Sequence, residues 1–231
     1  MKINRMLKYF ISVICILFMN ITHGNVNLVN DTIEKFGIRA GIDLNKIIKS
    51  ATNNNFNGFS INGDVRIKKS LYVFSEVGSE EIILNSYYLN SNVKGNYLKL
   101  GVNFKMNNDI RTQNIVYSGF NLGFSQFDQR VNSYTIYNTS SIYWGESIIT
   151  EAVNLTDLKA FWLELVFGLK TEILNNLFLG FELQLKNILK QNNKQGITNL
   201  YVPGFNRTYD SSNLGAGFSY SISYLIPVVK K

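Results

Sequence analysis

The sequence predicts an all-β fold, an eight-stranded antiparallel up-and-down transmembrane β-barrel, and three observations predict it. Eight segments of roughly ten residues alternate apolar side chains with polar ones or glycine, the period and length of strands that cross a bilayer at a tilt. The connections between them alternate between short turns and long polar loops, as in outer-membrane barrels. The chain also opens on a basic and then apolar stretch that reads as a secretory leader.

In residues 1–20, Lys2, Arg5 and Lys8 precede an apolar run over 9–19, which is shorter than the ~20 apolar residues of a spanning helix. Thr22, His23 and Gly24 follow as a small-residue cleavage site. The expected organisation is a signal peptide over 1–24, an N-terminal leader over 25–35 and the barrel over 36–231. Cleavage would remove Cys15 and His23, the only cysteine and the only histidine. Lipid acylation at Cys15 is the competing use, disfavoured because Ile14 stands where such sites want a small residue. A mature chain without Cys or His has no disulfide framework, no thiolate or imidazole metal site and no imidazole base.

The strands follow in order. Phe36, Ile38, Ala40, Ile42 and Leu44 alternate with residues that include Arg39 and Asp43. Phe59, Ile61, Val65 and Ile67 alternate with Asp64, Arg66 and Lys68, and Leu71, Val73 and Val77 with Tyr72, Phe74 and Glu76. Leu98, Leu100, Val102 and Phe104 oppose Lys99, Asn103 and Lys105. Val116, Phe120, Leu122 and Phe124 oppose Tyr117, Asn121 and Ser125. Phe161 to Leu169 at odd positions oppose Trp162, Glu164 and Lys170. Leu177 to Leu185 oppose Phe178, Glu182 and Lys186, and Leu214 to Ile226 at even positions oppose glycines and serines. Lys69–Ser70, the stretch 107–114 and Asn175–Asn176 read as short turns, and 46–58, 79–96, 128–157 and 187–212 as long outer loops.

Alternation alone does not say which face meets water. The apolar parity carries no charge within the eight strand cores and is bulky, whereas the other parity is rich in glycine and serine. An eight-stranded barrel has an interior just wide enough for its own side chains, so the bulky parity belongs outside, against lipid.

The other parity then lines the lumen with Arg39, Arg66, Lys68, Lys99, Lys105, Lys170 and Lys186 against Asp43, Asp64, Glu76, Glu164, Glu172 and Glu182. Charges confined in a narrow barrel must pair, because an isolated one carries a large desolvation penalty. Equal depth on consecutive strands suggests one ladder of Arg39, Asp64, Arg66 and Glu76, and a second of Lys170, Glu172 and Glu182. This near-balanced lining argues for a plug and against a selective pore. Nothing places a nucleophile beside the carboxylates, and no catalytic residue, cofactor or metal is expected.

The whole chain carries +7. Removing Lys2, Arg5 and Lys8 from its 23 basic residues leaves 20 against 16 acidic ones, or +4, too weak and dispersed for nucleic acid. Two loops are rich in aromatics, one with Tyr134, Tyr137, Tyr143 and Trp144, the other with Tyr201, Phe205, Arg207 and Tyr209. Both an interfacial belt and a partner-contact surface use such residues.

The architecture is similar to small outer-membrane barrels of the OmpA/OmpX type. The segments 36–44, 132–138, 202–213 and 217–227 carry a closer likeness. On them the chain resembles an uncharacterised family of small Gram-negative outer-membrane β-barrel proteins. That resemblance implies no reaction, cofactor or catalytic residue. The chain departs from the usual assembly signal, a terminal aromatic, because Tyr224 is followed by seven more residues, Leu225 to Lys231.

The expected function is therefore non-enzymatic. The chain reads as an outer-membrane barrel with a charge-paired lumen, set in outer-membrane lipid, acting through its loops or as a subunit beside another outer-membrane protein. Two other readings stay open: a narrow ion or small-solute channel, and a soluble periplasmic lipocalin-like barrel that binds an apolar ligand.

Overall fold

The computed structural model describes residues 35–107, 113–136, 147–194, 196–209 and 211–230. The expected signal peptide and nearly all of the leader, with Tyr137, Tyr143 and Trp144, lie outside the described residues.

Eight long antiparallel strands build the molecule: β1 (Lys35–Asp43), β2 (Phe56–Lys68), β3 (Leu71–Ser86), β4 (Leu89–Lys105), β5 (Ile115–Ile136), β7 (Val153–Leu174), β8 (Leu177–Gln191) and β11 (Leu214–Lys230). A short β6 (Ser147–Ile149) pairs with the end of β5, and β9 (Tyr201–Val202) with β10 (Asn206–Arg207) forms a small hairpin of its own. Each long strand pairs with its chain neighbour, and β1 closes on β11, so the sheet has the up-and-down order of a barrel. At the two-residue turn joining β7 to β8, Asn176 takes a positive φ of 65°, a conformation asparagine tolerates better than most residues.

All eight parities fall as expected. Ile61, Leu100, Leu122, Leu183 and Phe218 are exposed on the outside, while Arg39, Asp64, Glu76, Lys99, Glu164, Lys170 and Lys186 are buried within. The exterior apolar rows end abruptly. Val77, Leu98, Phe124 and Phe161 are successive register partners on β3, β4, β5 and β7, and two residues further up the next outward row is Ser79, Asn96, Gln126 and Lys159, again register partners. Above that line the polarity inverts. Gln126, Asp128 and Arg130 face out while Phe127 and Val131 face in, and Leu155 and Leu158 on β7 join them inside. A strand standing in lipid below and in water above would show this switch, because apolar surface is favourable only where water is absent.

Three long loops expected from the sequence are corrected. Residues 79–96 are the upper halves of β3 and β4, joined at Tyr87–Tyr88, and much of 128–157 extends β5 and β7. The stretch 46–58, together with the end of the first expected strand, holds a helix, α1 (Leu44–Thr52). The physical reason lies in spacing: Leu44, Ile47, Ile48 and Ala51 recur at helical intervals, and the Asp43 carboxylate caps the helix by accepting from the Asn45 and Lys46 amides at 2.8 and 3.4 Å.

Candidate functional site

Charged and aromatic side chains fill the barrel interior in two storeys. In the lower one, Asp64 on β2 stands opposite Arg39 on β1 in register and accepts its guanidinium at 2.7 Å. Its second oxygen binds the Lys170 ammonium from β7, across the lumen. The Tyr72 and Phe178 rings flank Arg39 at 5.0 and 5.3 Å. The space left beside this triad is about 10 Å³.

In the upper storey Lys99 stands between Glu76 at 3.4 Å and Glu164 at 3.2 Å, and Lys186 reaches Glu164 at 3.5 Å. Glu164, fully buried, also accepts the Trp162 indole N–H at 2.8 Å. Lys46 projects inward from α1 and meets Glu76 at 3.3 Å and Glu80 at 2.9 Å. The Tyr97 hydroxyl donates to Glu76 at 2.6 Å. Alternating signs across four strands and one helix give each of these charges a partner of opposite sign, as burial requires.

Large rings fit this narrow interior because glycines face them. Tyr97, Trp162 and Tyr117 stand opposite Gly78, Gly123 and Gly168 in register, and a Cβ on Gly123 would come within 2.0 Å of the indole. The chain between β8 and β11 turns inward over the upper storey. Tyr201 donates to Glu80 at 2.7 Å, the Gly204 amide to the same oxygen at 3.0 Å, and Lys186 to the Gly204 carbonyl at 2.8 Å. Phe205 packs edge-on to Trp162, with ring centroids 6.1 Å apart. The φ of Gly204 is +80°, and a side chain there would strike the Tyr97 ring, so only glycine fits this bend.

The expected ladders are recombined. Arg39 and Asp64 pair, but Glu76 lies a register row higher, opposite Lys99. Arg66 turns to the Lys68 and Lys69 carbonyls at the β2–β3 turn. Lys170 joins Asp64 instead of Glu172 or Glu182. Glu182 accepts the Tyr117 hydroxyl, and Glu172 accepts the Asn176 amide at 2.7 Å in the β7–β8 turn. Asp43, expected in the lumen network, caps α1. The strand stagger decides these pairings, and counting residues from a turn does not capture it.

Among the expected contact residues, Tyr201 and Phe205 are buried inside the barrel and present no outward surface. Arg207 and Tyr209 are exposed, with the guanidinium 5.8 Å from the ring centroid, and Tyr134 sits half-buried at the β5–β6 pairing. Lys46, Glu80 and the inward Tyr97, Tyr117 and Trp162 were not among the expected site residues. The inverted alternation of 126–131 and the helical spacing of 44–51 were the available signals.

The family model described as "Domain of unknown function (DUF6048)" matches residues 6–231. No curated protein sequence matches the chain. Among solved structures, the chain is similar to Ail, the attachment invasion locus protein of Yersinia pestis, at 10% identity and a TM-score of 0.40, covering 83% of this chain and 94% of that one. It is also similar to Neisserial surface protein A, at 12% identity and a TM-score of 0.39, covering 82% and 94%.

Proposed function

The chain belongs to the family described as Domain of unknown function (DUF6048), and we propose that it is a non-catalytic outer-membrane barrel whose lumen is sealed. In this reading an exported chain spans the membrane with its eight strands, and its extended upper strands and loops form the working surface, alone or beside another outer-membrane protein.

One observation carries the reading: on β3, β4, β5 and β7 the exterior changes from apolar to polar along a line of register partners, while the interior above that line changes the opposite way. A soluble barrel gains nothing by exposing Ile61, Leu122 and Leu185, each more than half exposed. Two features support the sealing. Opposed charges meet across the lower storey around a residual space of about 10 Å³, room for about one water. The turn at 201–205 also closes over the upper one.

Fractionation and planar-bilayer recording test this together. The protein is expected in detergent-extracted outer membrane, with electrophoretic mobility that changes on boiling and no stable open level in the bilayer. Recovery as a soluble periplasmic monomer would overturn the membrane reading, and a reproducible single-channel conductance would overturn the sealing.

A further inference from the structure

The barrel wall is incomplete in one place. β1 pairs with β2 only as far as Ile42 and with β11 only as far as Asp43, whereas β2 continues up to Phe56 and β11 to Leu214. Between β2 and β11 the upper wall therefore has a seam, and α1 lies across it. On the β2 side α1 substitutes for the missing strand. The Ser50 hydroxyl accepts the Gly58 amide at 2.8 Å, and its proton is shared between the Lys46 carbonyl at 2.8 Å and the Gly58 carbonyl at 3.1 Å. On the β11 side the only side chain reaching the strand backbone is Asn45, whose amide donates to the Phe218 carbonyl at 3.2 Å, among the described residues. In an antiparallel strand both backbone groups of alternate residues point to one side, so Ala216 and Phe218 turn their amide N–H groups into the seam as well.

Behind that edge lies a cavity of about 460 Å³. Its wall combines apolar and charged side chains, with five cations against the carboxylates of Asp43, Glu76 and Glu80. Phe56, Ile82, Leu84 and Phe218 are apolar, and Lys49 and Arg207 are cations. Lys46, Lys99 and Lys186, which also line it, are engaged with Glu76, Glu80 and Glu164. Lys49 and Arg207 make no ion pair with a described residue; their ammonium and guanidinium lie over the Phe56 and Tyr209 rings, at 3.8 and 5.8 Å. The seam opens towards lipid: Leu44, Ile47, Ile48 and Ala51 put an apolar stripe on the outside of α1, and Phe59 and Phe218 flank it, both about half exposed.

We propose that this cavity is a lateral binding site for a membrane amphiphile whose phosphate head group carries a net negative charge. The head would sit between Lys49 and Arg207, within reach of the Ala216 and Phe218 amides, and the acyl chain would leave through the seam along Phe218 and the α1 stripe. Two cations without an ion pair among the described residues, beside backbone donors turned into the seam, favour an anion, and an opening onto an apolar exterior favours one that carries a chain. The site rests on the membrane reading above.

The experiment uses the full barrel refolded in zwitterionic detergent and titrated with spin-labelled lysophosphatidylglycerol. Lysophosphatidylcholine and inorganic phosphate serve as competitors. Immobilised label is expected at saturable stoichiometry, with affinity at least tenfold weaker in Lys49→Gln/Arg207→Gln. Neither competitor is expected to displace it at equal concentration. Equal binding by the double variant, or displacement by lysophosphatidylcholine, would overturn the head-group assignment. Displacement by inorganic phosphate would overturn the lipid as ligand. Heat-modifiable mobility of the same samples separates the two readings: a barrel that folds but does not bind refutes the site alone, and one that never inserts refutes the membrane reading.

Discussion

At the scale of single residues, the two buried glutamates Glu164 and Glu182 separate cleanly. Glu164 stands between two ammonium groups and an indole N–H, whereas Glu182 accepts from Tyr117, Gln184 and Ser219 and meets no cation within ion-pair distance among the described residues. Glu164→Gln leaves Lys99 and Lys186 short of countercharge and is expected to cost about 3–5 kcal/mol. Glu182→Gln keeps a carbonyl acceptor and should cost about 1 kcal/mol. Urea unfolding of the refolded barrel measures both. Tyr201 supplies a pH test. Burial, and after it the Glu80 carboxylate, push its phenol well above the ordinary value of 10.0. The folded chain therefore holds that proton more tightly than the unfolded one. The resulting stabilisation is fully present below pH 10 and is lost as pH rises through the raised value. Near-ultraviolet absorbance should show Tyr201 ionising only at strongly alkaline pH, together with release of the 201–205 turn; ionisation at the ordinary value would contradict its docking.

At the scale of elements, the ring-over-glycine contacts hold β5 and β7 at their observed spacing. Trp162 lies across Gly123 so closely that Gly123→Val must displace the indole, and with it the bond to Glu164 and the edge contact to Phe205. The expected loss is about 1–3 kcal/mol, as for other overpacked cores, read as a lower temperature for the heat-modifiable transition. α1 illustrates the opposite case. None of its residues is buried, so its stability comes from the Asp43 cap and from Ser50 on the β2 edge more than from packing.

For the whole molecule, the line where the exterior changes polarity is the strongest statement about environment. Leu122 lies inside the apolar band and Gln126 one row beyond its upper limit, on the same strand and the same face. Leu122→Lys is expected to cost about 2–4 kcal/mol in a bilayer, and Gln126→Lys less than about 1 kcal/mol, because the penalty for a charge falls steeply towards the interface. Folding free energies in liposomes decide it, and equal costs at both positions would place the band elsewhere. In the proposed sealed barrel, the network that stabilises the interior would be the same one that leaves no continuous path.

The sequence by itself determined the eight long strands, the alternation of their cores and the face each core residue occupies. These follow from a side-chain period of two, which is local and survives in the text of the chain: Arg39, Asp64, Glu76 and Glu164 are all inward, as their parity required. Tertiary structure alone decided which charge meets which. A stagger of two residues puts Glu76 against Lys99 instead of in line with Asp64, and no property of either neighbourhood records that offset. The same holds for Tyr201 and Phe205, whose polar, proline-containing surroundings read as an outer loop while Glu80 and Trp162, far away in sequence, draw them inside. The upper strands fell between these cases. Residues 79–96 and much of 128–157 read as outer loops because their alternation reverses sign above the apolar band, and only the closed barrel shows where that band ends.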